Sequence, residues 1–356
     1  TAFLALFNPL TLLPMVPTLA VNLLSDNPFT WRLEDFHYGA PLAPFLFISA
    51  TYGIRRISDW KRRASDPARR PSRLFLVTSL LLLLLTLNIV GTGFAVAHSF
   101  DLNRLQETTL EEMIEDVSAV QVVFIGEIHD QASHHAAQLQ VIKALSEAGV
   151  PVSIALEMFR QDGQADLDRW RDGELEENEF REVFDRHWNY WPIYREIFLY
   201  ARDNRIPLVG LNIPRQLVKQ VARSGFNSLS AEQRKDLPLS YCDVSPRYRA
   251  FMSRTLQGHP LEGTAFENFC EAQILWDASM AVNLESYLLE NPDRTVVVLA
   301  GNGHAWKHGI PEQLLRRNAY ATRVLLPEVP GRIDRATTSA DETDYLLEGV
   351  DLGPLH

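Results

Sequence analysis

The sequence predicts an α/β fold: a mainly parallel β-sheet flanked by helices, with an inserted small helical subdomain and an N-terminal membrane region. Three observations predict it. Short unbroken Val/Ile/Leu runs recur through the second part of the chain, as in strands covered on both faces. Helical patterns separate those runs, which implies βαβ units. Two of the runs also end in one signature, Gly126-Glu127-Ile128-His129 and Gly301-Asn302-Gly303-His304.

The membrane region comes first. Residues 74–97 carry no formal charge and contain the solid apolar core 80–85, a longer run than the ~20 residues of a spanning helix. Residues 55–73 hold eight Lys/Arg against two Asp/Glu. The positive-inside rule therefore puts this linker in the cytoplasm and the chain after Ala97 outside it, in the periplasm or at the cell surface. Ala95-Val96-Ala97 also has the small-x-small form of a signal-peptidase site, so a signal anchor and a cleavable signal compete. Farther upstream, 2–24 and 40–54 are apolar but interrupted by Pro9, Pro14, Pro17, Pro41 and Pro44, as in short or re-entrant membrane segments.

Charge separates the two parts. The whole chain carries −11; residues 1–97 hold nine Lys/Arg and five Asp/Glu, which leaves −15 on 98–356. Such a domain lacks the basic footprint that nucleic-acid binding requires. Its two cysteines, Cys242 and Cys270, suit one disulfide outside the cytoplasm or two separate buried thiols inside it.

Within 98–356 the pattern predicts a polar helix over 105–117 and strands over 120–125, 152–156, 207–211, 295–300 and 322–326. Helices are expected over 133–147 and over 165–203, the latter broken at Pro192. Between the third and fourth strands, 214–291 is mainly helical and too long for one crossover, so it reads as a subdomain over the carboxyl edge of the sheet. Phe180, Phe184, Trp188, Trp191, Tyr194 and Phe198 recur at spacings of three and four, the stripe of a core-facing helix.

The chemistry gathers where strands end, since ligands of parallel sheets bind beyond the carboxyl ends. The first strand delivers Glu127, His129 and Asp130, followed by His134 and His135. The second ends at Glu157, the third at Asn212 and Arg215, and the fourth at Asn302 and His304. The glycine of each signature is read as permitting a sharp turn. Glu127, His129, Glu157 and His304 form a nitrogen–oxygen donor set for Zn, Mn or Fe. Alternatively Glu127 serves as general base on a metal-bound water. Arg215 suits an anionic group, or pairs with Glu157.

Those blocks resemble a known family. Gly126-Glu127-x-His129-Asp130 with His134, His135 and Gln138 is one; Leu156-Glu157-Met158 and Asn212-Ile213-Pro214-Arg215 are others. Phe269-Cys270-Glu271-Ala272-Gln273 and Ala300-Gly301-Asn302-Gly303-His304 complete the set. Together they resemble the ChaN-like haem-binding proteins, in the superfamily of haem-binding uptake proteins, Tiki proteases and erythromycin esterases, over about 105–328. The resemblance implies haem binding in iron acquisition by a membrane-attached α/β domain facing away from the cytoplasm. It implies cofactor contacts at His129, His134, His135, Arg215, Asn302 and His304, and metal or catalytic positions at Glu127, His129, Glu157 and His304. Tyrosines serve as axial ligands in that family, which leaves Tyr190, Tyr241 and Tyr248 open; a homodimer is also left open.

One departure is that no cysteine follows Ala97, where a lipoprotein of that family carries one. Residues 1–57 resemble the closing segment of an uncharacterised family of polytopic bacterial membrane proteins, related to membrane glycosyltransferases. The resemblance lies in Leu13-Pro14, Asn22-Leu23-Leu24-Ser25 and the run from His37 through Phe45. Two other functions compete with haem uptake. One is a metal-dependent hydrolase, with Glu127 as base and His129, Glu157 and His304 as ligands. The other is a tethered binding module without activity.

Overall fold

A computed structural model describes residues 98–244, 246, 248–250 and 263–348. The expected membrane segments lie outside those residues. Among the described residues no helix is long and apolar enough to cross a membrane.

The five strands read from the sequence all form. They are β3 (Val122–Glu127), β4 (Val152–Arg160), β5 (Leu208–Asn212), β6 (Thr295–Gly301) and β7 (Thr322–Pro327). Three short strands join them: β1 (His98–Asp101), β2 (Gln106–Thr108) and β8 (Tyr345–Glu348). The order is β2-β1-β8-β7-β3-β6-β4-β5. From β8 to β5 every pairing is parallel, whereas β1 runs antiparallel to both β2 and β8. The sheet is therefore mixed, though mostly parallel.

Every residue of β3 and β6 is buried, which explains their unbroken apolar sequences. Their alternate residues serve opposite faces. Val123, Ile125, Val297 and Leu299 face a core built with α1 (Leu110–Ser118), α2 (Ala132–Glu147), α3 (Gln164–Arg171), α4 (Glu177–His187) and α5 (Trp191–Asp203). Val122, Phe124, Val296 and Val298 face a second core, which α7 (Gly263–Glu290) covers with Met280, Ala281 and Leu284. The near half of α7 packs instead on α6 (Arg215–Ser224), through Ala272 and Leu275 against Val218 and Val221. The described residues between β5 and β6 include α6 and α7, and the single helix α7 belongs both to the added layer and to the main core.

Two boundaries differ from expectation for local reasons. The helix expected from 105 starts at Leu110, because Thr109 caps it: the Thr109 side chain accepts from the Glu112 N–H, and Glu112 reaches back to the Thr109 N–H. The residues before it pair as β2. The 165–203 segment breaks at Gly173 (φ 76°) and again before Tyr190 (φ 68°). Pro192 falls in the first turn of α5, where its missing N–H costs no hydrogen bond.

Candidate functional site

β3 and β6 are hydrogen-bonded neighbours in parallel register, with Gly126 opposite Ala300 and Glu127 opposite Gly301. Both Gly-x-x-His segments therefore emerge side by side at the carboxyl edge. Neither glycine has a positive φ that a turn would demand of it: Gly126 is inside β3, and Gly301, the last residue of β6 and the cap of the short helix Asn302–Ala305, has φ −55°. What each supplies is room. A Cβ on Gly301 would stand 2.8 Å from Cε1 and 3.2 Å from Nε2 of His129. One on Gly126 would stand 2.2 Å from Oδ1 of Asn302 and 2.6 Å from the Leu326 side chain. Each glycine admits a residue of the other motif, so the reading of sharp turns is corrected to close approach across the ladder.

Glu127 is 1% exposed and both its oxygens are engaged. Oε1 lies 2.8 Å from Nδ1 of His129 and also accepts from the Tyr194 hydroxyl. Oε2 accepts from Gln138 Nε2 at 2.9 Å and lies 3.2 Å from Nδ1 of His135. Burial raises the Glu127 carboxyl, but His135 and His129 outweigh it and hold it well below the carboxylate range. A charged carboxylate only accepts, so His129 Nδ1 carries a proton toward Glu127, and the Cε1–Nε2 edge lies over Gly301. The His129 side chain keeps 38% exposure, and Trp188 meets its ring edge-on with centroids 5.0 Å apart. Thus Glu127 orients His129. Each of its oxygens has two partners within this arrangement.

His304 repeats the arrangement with a partner from elsewhere. Its Nδ1 lies 2.6 Å from Oδ1 of Asp277 on α7, and Trp276 stands edge-on to its ring at 4.8 Å. Its Nε2 lies 3.7 Å from Oε1 of Glu157, whose other oxygen accepts the Gly301 N–H at 2.6 Å. Burial opposes charge on His304, but Glu157 and Asp277 outweigh it and raise the imidazole to about 9. Burial lifts Asp277 to about 6, with His304 acting against the lift. Near neutral pH both partners are charged.

The other expected residues divide by layer. His135 is buried behind His129, its Nε2 3.1 Å from the His129 carbonyl and its Nδ1 3.1 Å from Gln138 Oε1. His134, also buried, accepts the Ile128 N–H on Nδ1 at 2.9 Å and so closes the turn after β3. Burial, then His135, pushes His134 down to about 4. Neither reaches the open side. Asn302 is buried against Gly126, Asp130 is exposed, and Asn212 donates to the Glu157 carbonyl at 2.6 Å while accepting from Trp276 Nε1 at 2.5 Å. Arg215 is exposed in the first turn of α6, beyond the end of β5, and forms no ion pair with Glu157 among the described residues.

Of the tyrosines, Tyr190 and Tyr241 are exposed and Tyr248 is buried against Trp306. Cys242 and Cys270 form a disulfide. Among the described residues no group of three or more His, Cys, Asp or Glu side chains is arranged to hold a metal ion. A cavity of about 570 Å³ lies between α7, α8 (Ile310–Leu315) and the residues Asp243, Val244 and Tyr248; none of Glu127, His129, Glu157 and His304 lines it.

Sequence reasoning missed Tyr194, Asp277, Trp188 and Trp276. Tyr194 was counted with the core stripe, where its ring does sit, while its hydroxyl serves Glu127. Asp277 carried a signal: a lone acid amid Trp276, Ala278, Ser279 and Met280, in a helix face that is otherwise core.

Comparison with known proteins follows the same division. A family described as haem-binding uptake, Tiki superfamily, ChaN matches residues 113–314. A family of predicted membrane proteins, DUF2079, matches residues 1–118, well past the 57 residues of the resemblance noted above. Among solved structures, one of cofacial haem binding to ChaN of Campylobacter jejuni aligns with TM-score 0.55 at 21% identity, covering 71% of this chain and 96% of that one. It shows a shared fold. An erythromycin esterase mutant in its open conformation aligns with TM-score 0.40 and 15% identity, over 61% and 72% of the two chains. The type III effector HopBA1 aligns with TM-score 0.38 and 13% identity, over 67% and 91%. No curated protein sequence matches the chain.

Proposed function

Because the chain belongs to the haem-binding uptake, Tiki superfamily, ChaN family, we propose that it binds haem at the carboxyl edge of its sheet and serves iron acquisition. The observation that carries this reading is the state of His129. A porphyrin supplies four of iron's ligands and asks the protein for one or two more. His129 offers such a donor: Nδ1 is held by Glu127, the side chain keeps 38% exposure, and Trp188 stands beside the ring. Second-layer carboxylates of this kind fix the orientation of a ligating imidazole and raise its basicity. Arg215, exposed at the same edge, is suited to a propionate.

The chain is attached to the membrane by residues upstream of β1, with the described domain outside the cytoplasm. The N-terminal match to predicted membrane proteins supports attachment, and the Cys242–Cys270 disulfide suits an oxidising compartment. Haem titration of the full chain in detergent, followed by the Soret band, tests the site. Saturable binding is expected, weakened at least ~10-fold by His129→Ala, about 1.4 kcal/mol. Undiminished binding by that variant, together with loss in Tyr190→Phe, would move the axial donor to the tyrosine. Protease accessibility in osmotically opened cells tests the orientation.

A further inference from the structure

The chain enters the described domain at the end of the sheet that holds the histidines. β1 runs against the parallel strands, so its first residue stands at their carboxyl end: His98 pairs with Glu348, the last residue of β8. The register carries across the sheet, with Leu347 opposite Pro327 and Leu325 opposite Ile125. His98 is thereby level with the residues that follow Glu127. The uncharged run 74–97 stops one residue before it, so the sequence leaves no spacer between that run and β1.

Large apolar side chains are exposed at the same end. Tyr190, 50% exposed, precedes α5 in the segment where Trp188 meets the His129 ring. Leu239 and Tyr241, 82% and 65% exposed, flank Ser240, whose hydroxyl donates to the Glu271 carbonyl at 2.6 Å, and the next residue, Cys242, is bound to Cys270. Trp276 of the same helix reaches Asn212 at the end of β5, and Asn283 reaches the Leu211 carbonyl. Glu271 and Cys270 lie farther toward the helix start than Trp276, so at 1.5 Å per residue they project roughly 8 Å past the strand ends. At the opposite end Leu105 and Leu289 are exposed. Exposure alone therefore does not choose an end; the entry of the chain does. Tyrosine also suits a lipid–water boundary, with an apolar ring and a polar tip.

Resting on the membrane attachment read above, and not on haem, we propose that the carboxyl end of the sheet lies on the surface of the bilayer, through Tyr190, Leu239 and Tyr241. The contact is made by tyrosine and leucine, because −15 on residues 98–356 offers no attraction to anionic headgroups. The half-exposed side chain of His129 is then approached along the membrane surface.

Energy transfer to lipid tests the orientation. Both cysteines of the chain are in the disulfide, so a cysteine introduced at an exposed position is the one free thiol for a donor dye. The full chain is labelled at Tyr190→Cys, Leu239→Cys, Leu105→Cys or Leu289→Cys and placed in phosphatidylcholine vesicles that carry a rhodamine headgroup acceptor. Labels at 190 and 239 are expected to lie about 20 Å nearer the acceptor than those at 105 and 289, the rise of a strand the length of β3. Equal transfer from the two ends, or stronger transfer from 105 and 289, overturns the proposal while leaving attachment intact. In a chain labelled at 190, Leu239→Ser with Tyr241→Ser is expected to lower the transfer; unchanged transfer overturns the role given to those side chains. A chain recovered free of the vesicles overturns the attachment itself, and this inference with it.

Discussion

The two Gly-x-x-His motifs occupy equivalent positions on neighbouring strands yet end in different circumstances. His129 takes its carboxylate from its own strand, two residues back, and stays 38% exposed; His304 takes Asp277 from a helix 27 residues earlier in the chain and is 9% exposed. A repeated motif thus fixes where the backbone delivers an imidazole, while tertiary packing decides whether that imidazole can meet a ligand. The glycines sharpen the point, since each makes room for the other motif's side chain. The pair behaves as one interlocked unit with an open member and a closed one.

The contrast breaks most visibly at the closed member. His304→Ala would leave Asp277 buried without its partner, and losing one side of a buried pair costs on the order of 3–5 kcal/mol. Urea denaturation should show a loss of that size, largely recovered by Asp277→Ala in the same chain. His129→Ala, at the more exposed site, is expected to cost much less stability while weakening haem binding. A smaller effect separates the glycines. Gly126→Ala overfills the space held by Asn302 and Leu326 and should cost about 1–3 kcal/mol. Gly301→Ala pushes mainly on the His129 ring, so its larger effect is expected on haem affinity. Denaturation and Soret titration on both variants would check the assignment, and the reverse pattern would refute it.

The smallest effect concerns His134, which is held neutral by burial. Its depressed pKa means that its contribution to stability is full above about pH 6.5 and is lost as pH falls toward about 4, because the unfolded chain takes up the proton first. His134→Asn, whose side-chain oxygen can still accept the Ile128 N–H, should flatten that acid limb in a series of thermal melts. An unchanged limb would place the acid sensitivity elsewhere.

Much of this architecture was legible in the residues. β3 and β6 are buried along their whole length, so selection for apolar side chains leaves continuous runs that any reader sees. β1, β2 and β8 left no such trace, being only three or four residues long. The histidines and strand-end carboxylates were legible because strand ends of a parallel sheet are where ligands bind. Asp277 was not, since its pairing depends on how α7 lies against the β6 turn. Nor was the part played by Gly126 and Gly301, which follows from the register between strands far apart in sequence.

The outer half of the sheet carries one more consequence. β1, the first strand described, pairs along its full length with β8, the last, from His98 opposite Glu348 to Asp101 opposite Tyr345. Terminal segments are ordinarily where a domain frays first and independently. Here each end is the other's clasp: peeling away either one strips the bonds it shares with its partner and leaves that partner a new edge strand, held only by β2 or by β7, so loosening one end weakens the other.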